Sequence, residues 1–323
     1  MNDVVETCWT SILVTVKQFL LKFSDYDSRC NLKLCSRDDK ALVDSTRYVP
    51  DVISIGEEPG RTGENSTIYL RYESLILTVT ERNGITKVST NSSIEYNTIK
   101  SRYDVASLWV EKIKNRGKIE ATRIKILNFS MTPPDDWILK CDHLEIRMVP
   151  SQNLSSWLQK TIPKLKTLDV QMWKIDKIFG MDQVKNTSEM LKLSRNVSMT
   201  DEELETILAP SIAIVSDGKI TGNGAKKAFR KYVENSRPGD SFELRFPIFS
   251  YFDHRDLFDN KWIREEVLTE DVNMGEYIYR INGGFENIHG VESIPNVIIY
   301  YFFEYIIIRA FHCMEPDPPP TFY

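Results

Sequence analysis

Short phrases of the form apolar-x-apolar recur through the middle of this chain, at Ile124/Ile126, Leu144/Ile146, Leu168/Val170, Leu191/Leu193, Ile212/Ile214 and Leu244/Phe246, with first-residue spacings of 20, 24, 23, 21 and 32. Alternating apolar residues give a strand one buried face. The intervals leave room for one helix between successive strands. The segment from 153 to 162 carries Trp157 and Leu158. Thr200 and Glu203 form a capping box ahead of Leu204, Ile207 and Leu208, and the segment from 225 to 233 sets Ala228, Phe229 and Tyr232 or Val233 on one side. A strand-helix unit of this size cannot cover its own apolar faces, so the units are expected to stack with a parallel sheet along one side.

The first four intervals fall within the period of leucine-rich repeats, and Ala121, Cys141, Leu165 and Ala209 stand three places ahead of their strand pairs, as the repeat phrase requires. The asparagine expected after the phrase appears once, as Asn196; Phe129, Val149, Trp173 and Asp217 stand in the other places, so the repeat is degenerate. A plain α/β domain with coincidental strand spacing is the alternative.

Before the repeats the pattern is different. Residues 52 to 55, 68 to 70, 75 to 79 and 85 to 88 alternate as short strands, with a loop over 56 to 65 and a hairpin turn at Asn83-Gly84. Val105, Leu108, Trp109 and Ile113 then fall on one helical face. At the N-terminus Ile12, Leu13, Val16, Leu20 and Phe23 form one helical stripe. Asp27 and Ser28 can cap a second helix carrying Leu32 and Cys35, and Ser36 a third carrying Leu42 and Val43. A unit of about 40 residues has little interior of its own, so part of its apolar surface must be met elsewhere.

Residues 247 to 294 are aromatic and acidic, with Phe249, Tyr251, Phe252, Phe258 and Trp262 close together, and are expected to cap the end of the array. The most apolar window, 297 to 311, is too short for a membrane helix and contains Glu304 and Arg309, so it reads as one or two buried strands. The Pro-rich tail from 316 to 323 is not regular structure.

With 41 basic and 46 acidic residues the net charge is −5, and no basic run marks a nucleic-acid footprint. The five scattered cysteines lack metal-ligand spacing and read as reduced, mostly buried thiols of a cytoplasmic or nuclear protein. No P-loop, dinucleotide fingerprint, nucleophile elbow or zinc-protease motif is present. The four histidines are far apart in sequence, and acidic pairs such as Asp135-Asp136 sit at helix starts. No catalytic residue, metal or cofactor is expected.

The N-terminal stretch from Trp9 to Thr46, with its Asp-Tyr-Asp-Ser-Arg turn, Leu-Lys-Leu-Cys-Ser-Arg segment and Leu-Val-Asp-Ser-Thr ending, resembles the F-box of the large nematode family of F-box proteins. Phrases between 196 and 246, and the segment from Tyr277 to Gly283, resemble the F-box-associated region of the same family. The resemblance implies an F-box over 1–48, a β-rich linker with a helix over 49–118, repeat-like associated sequence over 119–246, a cap over 247–315 and a tail over 316–323. It implies docking on the Skp-type adaptor of an SCF-type cullin ubiquitin ligase through Trp9, Ile12, Leu13, Val16, Leu20, Phe23, Leu32, Leu34 and Cys35, with a protein substrate held by the repeats. The family has Leu-Pro where this chain has Ile12-Leu13, so the proline that pre-orders the helix start is missing. A binding module that no longer engages the adaptor is the alternative that this departure supports.

Overall fold

The computed structural model describes residues 14–21, 24, 26–46, 48–60, 66–91, 94–235, 237, 239–247, 263–268, 276–281, 295–302 and 305–312. It is a mixed α/β fold dividing into two compact units, Met1–Ile124 and Lys125–Tyr323.

The first unit opens with α1 (Val14–Leu21), α2 (Tyr26–Cys35) and α3 (Arg37–Ser45). Ser36 caps α3 as its position predicts, its Oγ accepting from the Asp39 amide at 3.0 Å. The caps expected for α2 are not there: Asp27 and Ser28 lie inside its first turn, because the helix starts at Tyr26. An antiparallel meander follows, β1 (Val52–Glu58), β2 (Thr67–Tyr72), β3 (Leu75–Arg82), β4 (Ile85–Thr90) and β5 (Glu95–Thr98), each strand paired with its predecessor. Asn83 and Gly84 take φ of 51° and 75°, the left-handed pair that a two-residue hairpin needs. The expected loop after residue 55 begins three residues later, since Gly56 and Glu57 pair with Tyr69 and Ile68. The polar β5 carries no apolar alternation and gave no sequence signal.

The helix over this sheet, α4 (Arg102–Ile113), is rotated from the expected face: Val105, Ala106 and Val110 are buried, whereas Leu108 is exposed. Trp109 packs edge-on against Tyr72 at 6.5 Å. Beneath it the carboxylate of Glu57, 6% exposed, accepts from Arg102 at 3.0 Å, from the Tyr103 hydroxyl at 3.1 Å and from Ser66. The unit closes with β6 (Ile119–Glu120), and β7 (Arg123–Leu127) runs across the division.

In the second unit β8 (Leu139–Lys140) precedes β9 (His143–Arg147), α5 (Ser151–Gln159), β10 (Thr167–Gln171), α6 (Asp182–Lys185), β11 (Met190–Val197), α7 (Asp201–Glu205), β12 (Ser211–Ser216), α8 (Gly222–Asn235) and β13 (Ser241–Pro247). Strands β9 to β13 lie parallel and side by side in chain order. Leu144, Leu168, Leu191, Ile212 and Phe242 form one buried row, and Ile146, Val170, Leu193, Ile214 and Leu244 the next. The final pair is therefore Phe242/Leu244 and not Leu244/Phe246. All three residues face the core, so alternation alone could not choose between registers two residues apart.

The helices cover this buried face. Phe229 and Tyr232 of α8 meet Phe242 at 5.7 and 5.4 Å, and Trp157 of α5 stacks with Trp137 and Phe129. The capping box at Thr200 is complete in both directions. Beyond it α7 stops at Glu205, leaving Ile207 buried but Leu208 63% exposed, outside the apolar face expected of it.

The apolar window near the C-terminus folds as two strands, β16 (Pro295–Phe302) and β17 (Tyr305–His312), after β14 (Ile263–Leu268) and β15 (Glu276–Ile281). β17 pairs antiparallel with β13, covering the free edge of the parallel run, and β16, β15 and β14 follow outward. The aromatic cluster at Phe249, Tyr251, Phe252, Phe258 and Trp262, and the Pro-rich tail, lie outside the described residues. Among the described residues no helix is long and apolar enough to cross a membrane.

Candidate functional site

Two surfaces carry side chains that the core does not use, one in each unit.

In the first unit one buried cation touches all three N-terminal helices. Arg29, 4% exposed, donates from Nη1 to the Leu21 carbonyl at 2.6 Å and from Nη2 to the Thr46 carbonyl at 2.6 Å, with a longer bond to Val43 at 3.4 Å. These carbonyls end α1 and α3, so the negative ends of two helix dipoles converge on one guanidinium. Its carbon also lies 4.7 Å from the centre of the Tyr48 ring. Burial pushes its pKa down, with no consequence for its charge at neutral pH. At the surface Lys33 of α2 meets Asp44 of α3 at 2.6 Å, and that hydrogen bond holds the Asp44 carboxyl below its ordinary range.

With the helices so fixed, α1 shows an inverted face. Lys17 and Gln18 are half-buried and Leu21 is fully buried, while Val14, Val16, Phe19 and Leu20 are 59, 44, 58 and 42% exposed. Of the residues expected to contact an adaptor, Val16 and Leu20 thus lie exposed on α1. Leu34 (85% exposed) and Cys35 are exposed on α2, where Leu32 is half-buried. Trp9, Ile12, Leu13 and Phe23 lie outside the described residues. Sequence reading missed Arg29 and Leu21 as the organising residues. Leu21 sits off the apolar stripe, and nothing local distinguishes an arginine that will be buried by carbonyls distant in sequence. The thiols are also less buried than expected: of the three described, Cys141 is buried, Cys30 half-buried and Cys35 exposed.

In the second unit the parallel sheet has an open face. Residues alternating with the buried rows are mostly polar and partly exposed, with Ala213 and Val215 of β12 among the apolar exceptions, and ion pairs join them across strands: Lys125 to Glu145 at 2.9 Å, Lys192 to Asp169 at 3.8 Å and Arg309 to Glu243 at 2.9 Å. Arg147 also pairs with Glu145. His143 opens β9 and shares a hydrogen bond with Thr167 across the strands, Nδ1 to Oγ1 3.0 Å, which accounts for it as a packing residue. At the C-terminal ends of β10 and β11 the Trp173 ring is 70% exposed, with the Arg195 guanidinium 4.5 Å from its centre. Arg195 and Asn196 have φ of 71° and 28° and sit in the bulge between Leu193 and Val197, which turns the arginine toward the tryptophan.

A groove of about 420 Å³ lies in the same unit, lined by Leu204, Ile207, Pro210, Lys231, Tyr232 and Phe242 among others. Lys231 Nζ donates to the carbonyls of Ile207 at 2.5 Å and Glu205 at 3.0 Å, closing the C-terminal end of α7. Burial lowers its pKa. That bonding gives the lysine a structural role. Among the described residues no group of three or more His, Cys, Asp or Glu side chains could hold a metal ion.

Comparison with protein-family models, curated proteins and solved structures returns no match for this chain.

Proposed function

We propose that this chain is a non-catalytic specificity subunit of an SCF-type cullin ubiquitin ligase. In this reading the N-terminal helices are an F-box that docks on a Skp-type adaptor, and the parallel strand-helix run is a degenerate leucine-rich-repeat-like solenoid that holds a protein target. The chain acts by effective concentration: a target held near a charged conjugating enzyme meets it more often, with no bond made or broken by this polypeptide.

The observation that carries the reading is the inverted face of α1. A helix folding only for its own chain puts its apolar side inward. Here Lys17 and Gln18 are half-buried while Val16, Phe19 and Leu20 are exposed and, of the apolar residues of α1, Leu21 alone is buried, on a unit that Arg29 ties together through the Leu21 and Thr46 carbonyls. Covering such a face with a second polypeptide would contribute roughly 25 cal/mol per Å² of apolar surface removed from water.

The test is co-elution of the purified chain with a nematode Skp-type adaptor on size-exclusion chromatography. Wild type co-elutes, and Leu20→Asp and Val16→Asp abolish the complex while circular dichroism is unchanged. Failure of the wild type to co-elute, or co-elution indifferent to the added charge, sinks the reading. Failure with target capture intact favours the adaptor-independent binding module, for which Ile12-Leu13 in place of Leu-Pro is the motivating feature.

A further inference from the structure

The target-binding half of the proposal leaves open what kind of segment the open face takes, and the C-terminal rim of β9 to β11 answers with its chemistry. Arg147, Lys174, Lys177 and Arg195 stand there against two carboxylates, Asp176 and the Glu145 that Arg147 contacts, an excess of positive charge on a chain whose net charge is −5. Local charge thus opposes the charge of the whole. Lys174 is 63% exposed and its approach to Asp176 is 4.0 Å, the limit of an ion pair. Arg195 has no carboxylate partner among the described residues; its neighbour is the Trp173 ring. A tryptophan 70% exposed and roofed by an arginine is a costly surface to leave in water, and this residue pair is the one most enriched where interfaces concentrate their binding energy.

Geometry adds a spacing. Arg147 is in register with Gln171, and Gln171 with Ser194, the residue before Arg195, so the two arginines lie two strands apart. At about 4.8 Å between neighbouring strands that is roughly 10 Å, which side chains four residues apart on one face of an extended peptide, about 13 Å along the chain, reach by leaning inward. The middle of that span lies over the end of β10, where Trp173 stands.

We propose that this rim binds an acidic peptide segment in which two carboxylates four residues apart engage Arg147 and Arg195 and an apolar side chain midway between them, on the same face, lies on Trp173. Arg147, itself half-exposed, gives up its contact with Glu145 to do so, and the largely buried Glu145 carboxylate keeps a cation in Lys125 at 2.9 Å. The site deepens the reading of the chain as a target-binding subunit and rests on it.

The experiment is fluorescence anisotropy on the full chain at fixed salt of about 0.1 M. The probe is the fluorescein-labelled peptide Gly-Ser-Glu-Ala-Phe-Ala-Glu-Ser-Gly. Wild type binds it at least about tenfold more tightly than the same peptide with both glutamates changed to glutamine. It also binds it several-fold more tightly than the peptide with adjacent glutamates. Arg195→Glu and Trp173→Ala each weaken binding by about tenfold or more, Trp173→Phe restores most of it, and Lys112→Glu, on α4 of the other unit, changes it less than about twofold. Equal affinity for the glutamine peptide, indifference to Arg195→Glu, or equal affinity for an oligothymidylate of the same charge overturns the inference, the last by showing a general polyanion patch. Leu20→Asp separates the two claims. It abolishes adaptor co-elution and leaves peptide affinity unchanged, so loss of peptide binding with the adaptor complex intact defeats this inference alone, and the converse defeats the ligase reading alone.

Discussion

Replacing Arg29 by methionine should release the N-terminal helices while leaving the rest of the chain folded. Methionine retains much of the aliphatic burial but none of the five donors. Two short charge-assisted bonds are lost, to Leu21 and Thr46, each at 2.6 Å, together with the contact over Tyr48. Hydrogen bonds to a charged donor contribute about 1.5–3 kcal/mol each. The cation-π contact adds about 0.5–2 kcal/mol. The Leu21 carbonyl keeps the Ser24 amide at 3.2 Å and the Val43 carbonyl keeps the Thr46 amide, which places the loss toward the lower end, about 3–5 kcal/mol in all. Among the described residues of the three helices the buried apolar side chains are Leu21 and Val43, a small core to set against that loss. Hydrogen exchange read by mass spectrometry is the assay. Amides of residues 14–46 should exchange far faster than in wild type, while those of β1 to β4 and β9 to β13 keep their protection. Arg29→Lys keeps the charge but not the fork, and should fall between the two. Unchanged protection over 14–46 in Arg29→Met would refute the idea that the guanidinium holds the helices together.

Three further outcomes follow from the geometry. A Cβ on Gly224 would collide with Asp201 Oδ1, whose carboxylate accepts from the Thr221 amide at 2.8 Å and hydroxyl at 2.6 Å. Gly224→Ala should therefore lower urea stability by about 1–3 kcal/mol despite the better helix propensity of alanine, and in an Asp201→Ala background the same change should become neutral or stabilising. Arg102→Met deprives the buried Glu57 carboxylate of its cation and should cost about 3 kcal/mol in thermal or urea melts, most of it recovered when Glu57→Met is added. For Lys231 the pKa is lowered in the folded state, so between that lowered value and the ordinary lysine value of about 10.4 the unfolded chain holds more protons and stability rises with pH. Urea melts at about pH 8 and 10 should show wild type gaining relative to Lys231→Met, and a relative loss would contradict the assignment.

Features set by neighbours in sequence are legible in the order of residues alone. The Asn83-Gly84 turn needs only two residues able to take positive φ, the caps at Ser36 and Thr200 span three or four positions, and Leu168/Val170 or Leu191/Leu193 declare a strand with one buried face by alternation. The candidate surfaces are half legible. Val16, Leu20, Leu34 and Cys35 stand exposed, but the side of α1 that turns outward depends on where Arg29 finds its carbonyls. Trp173 shows in the sequence only as a missing asparagine in the repeat phrase; its exposure and its arginine come from a bulge in the next strand.

The amino-acid order by itself determined the strand faces, the hairpin turn, the caps at Ser36 and Thr200, and the alternation of strand and helix through the middle of the chain, because each depends on interactions within a few residues. The tertiary structure alone decided the two-residue register of β13, the rotation of α4 away from Leu108, the antiparallel strands that cover the last parallel edge, and the burial of Arg29. Each of these pits alternatives of nearly equal local energy against one another, and only contacts between residues far apart in the chain separate them.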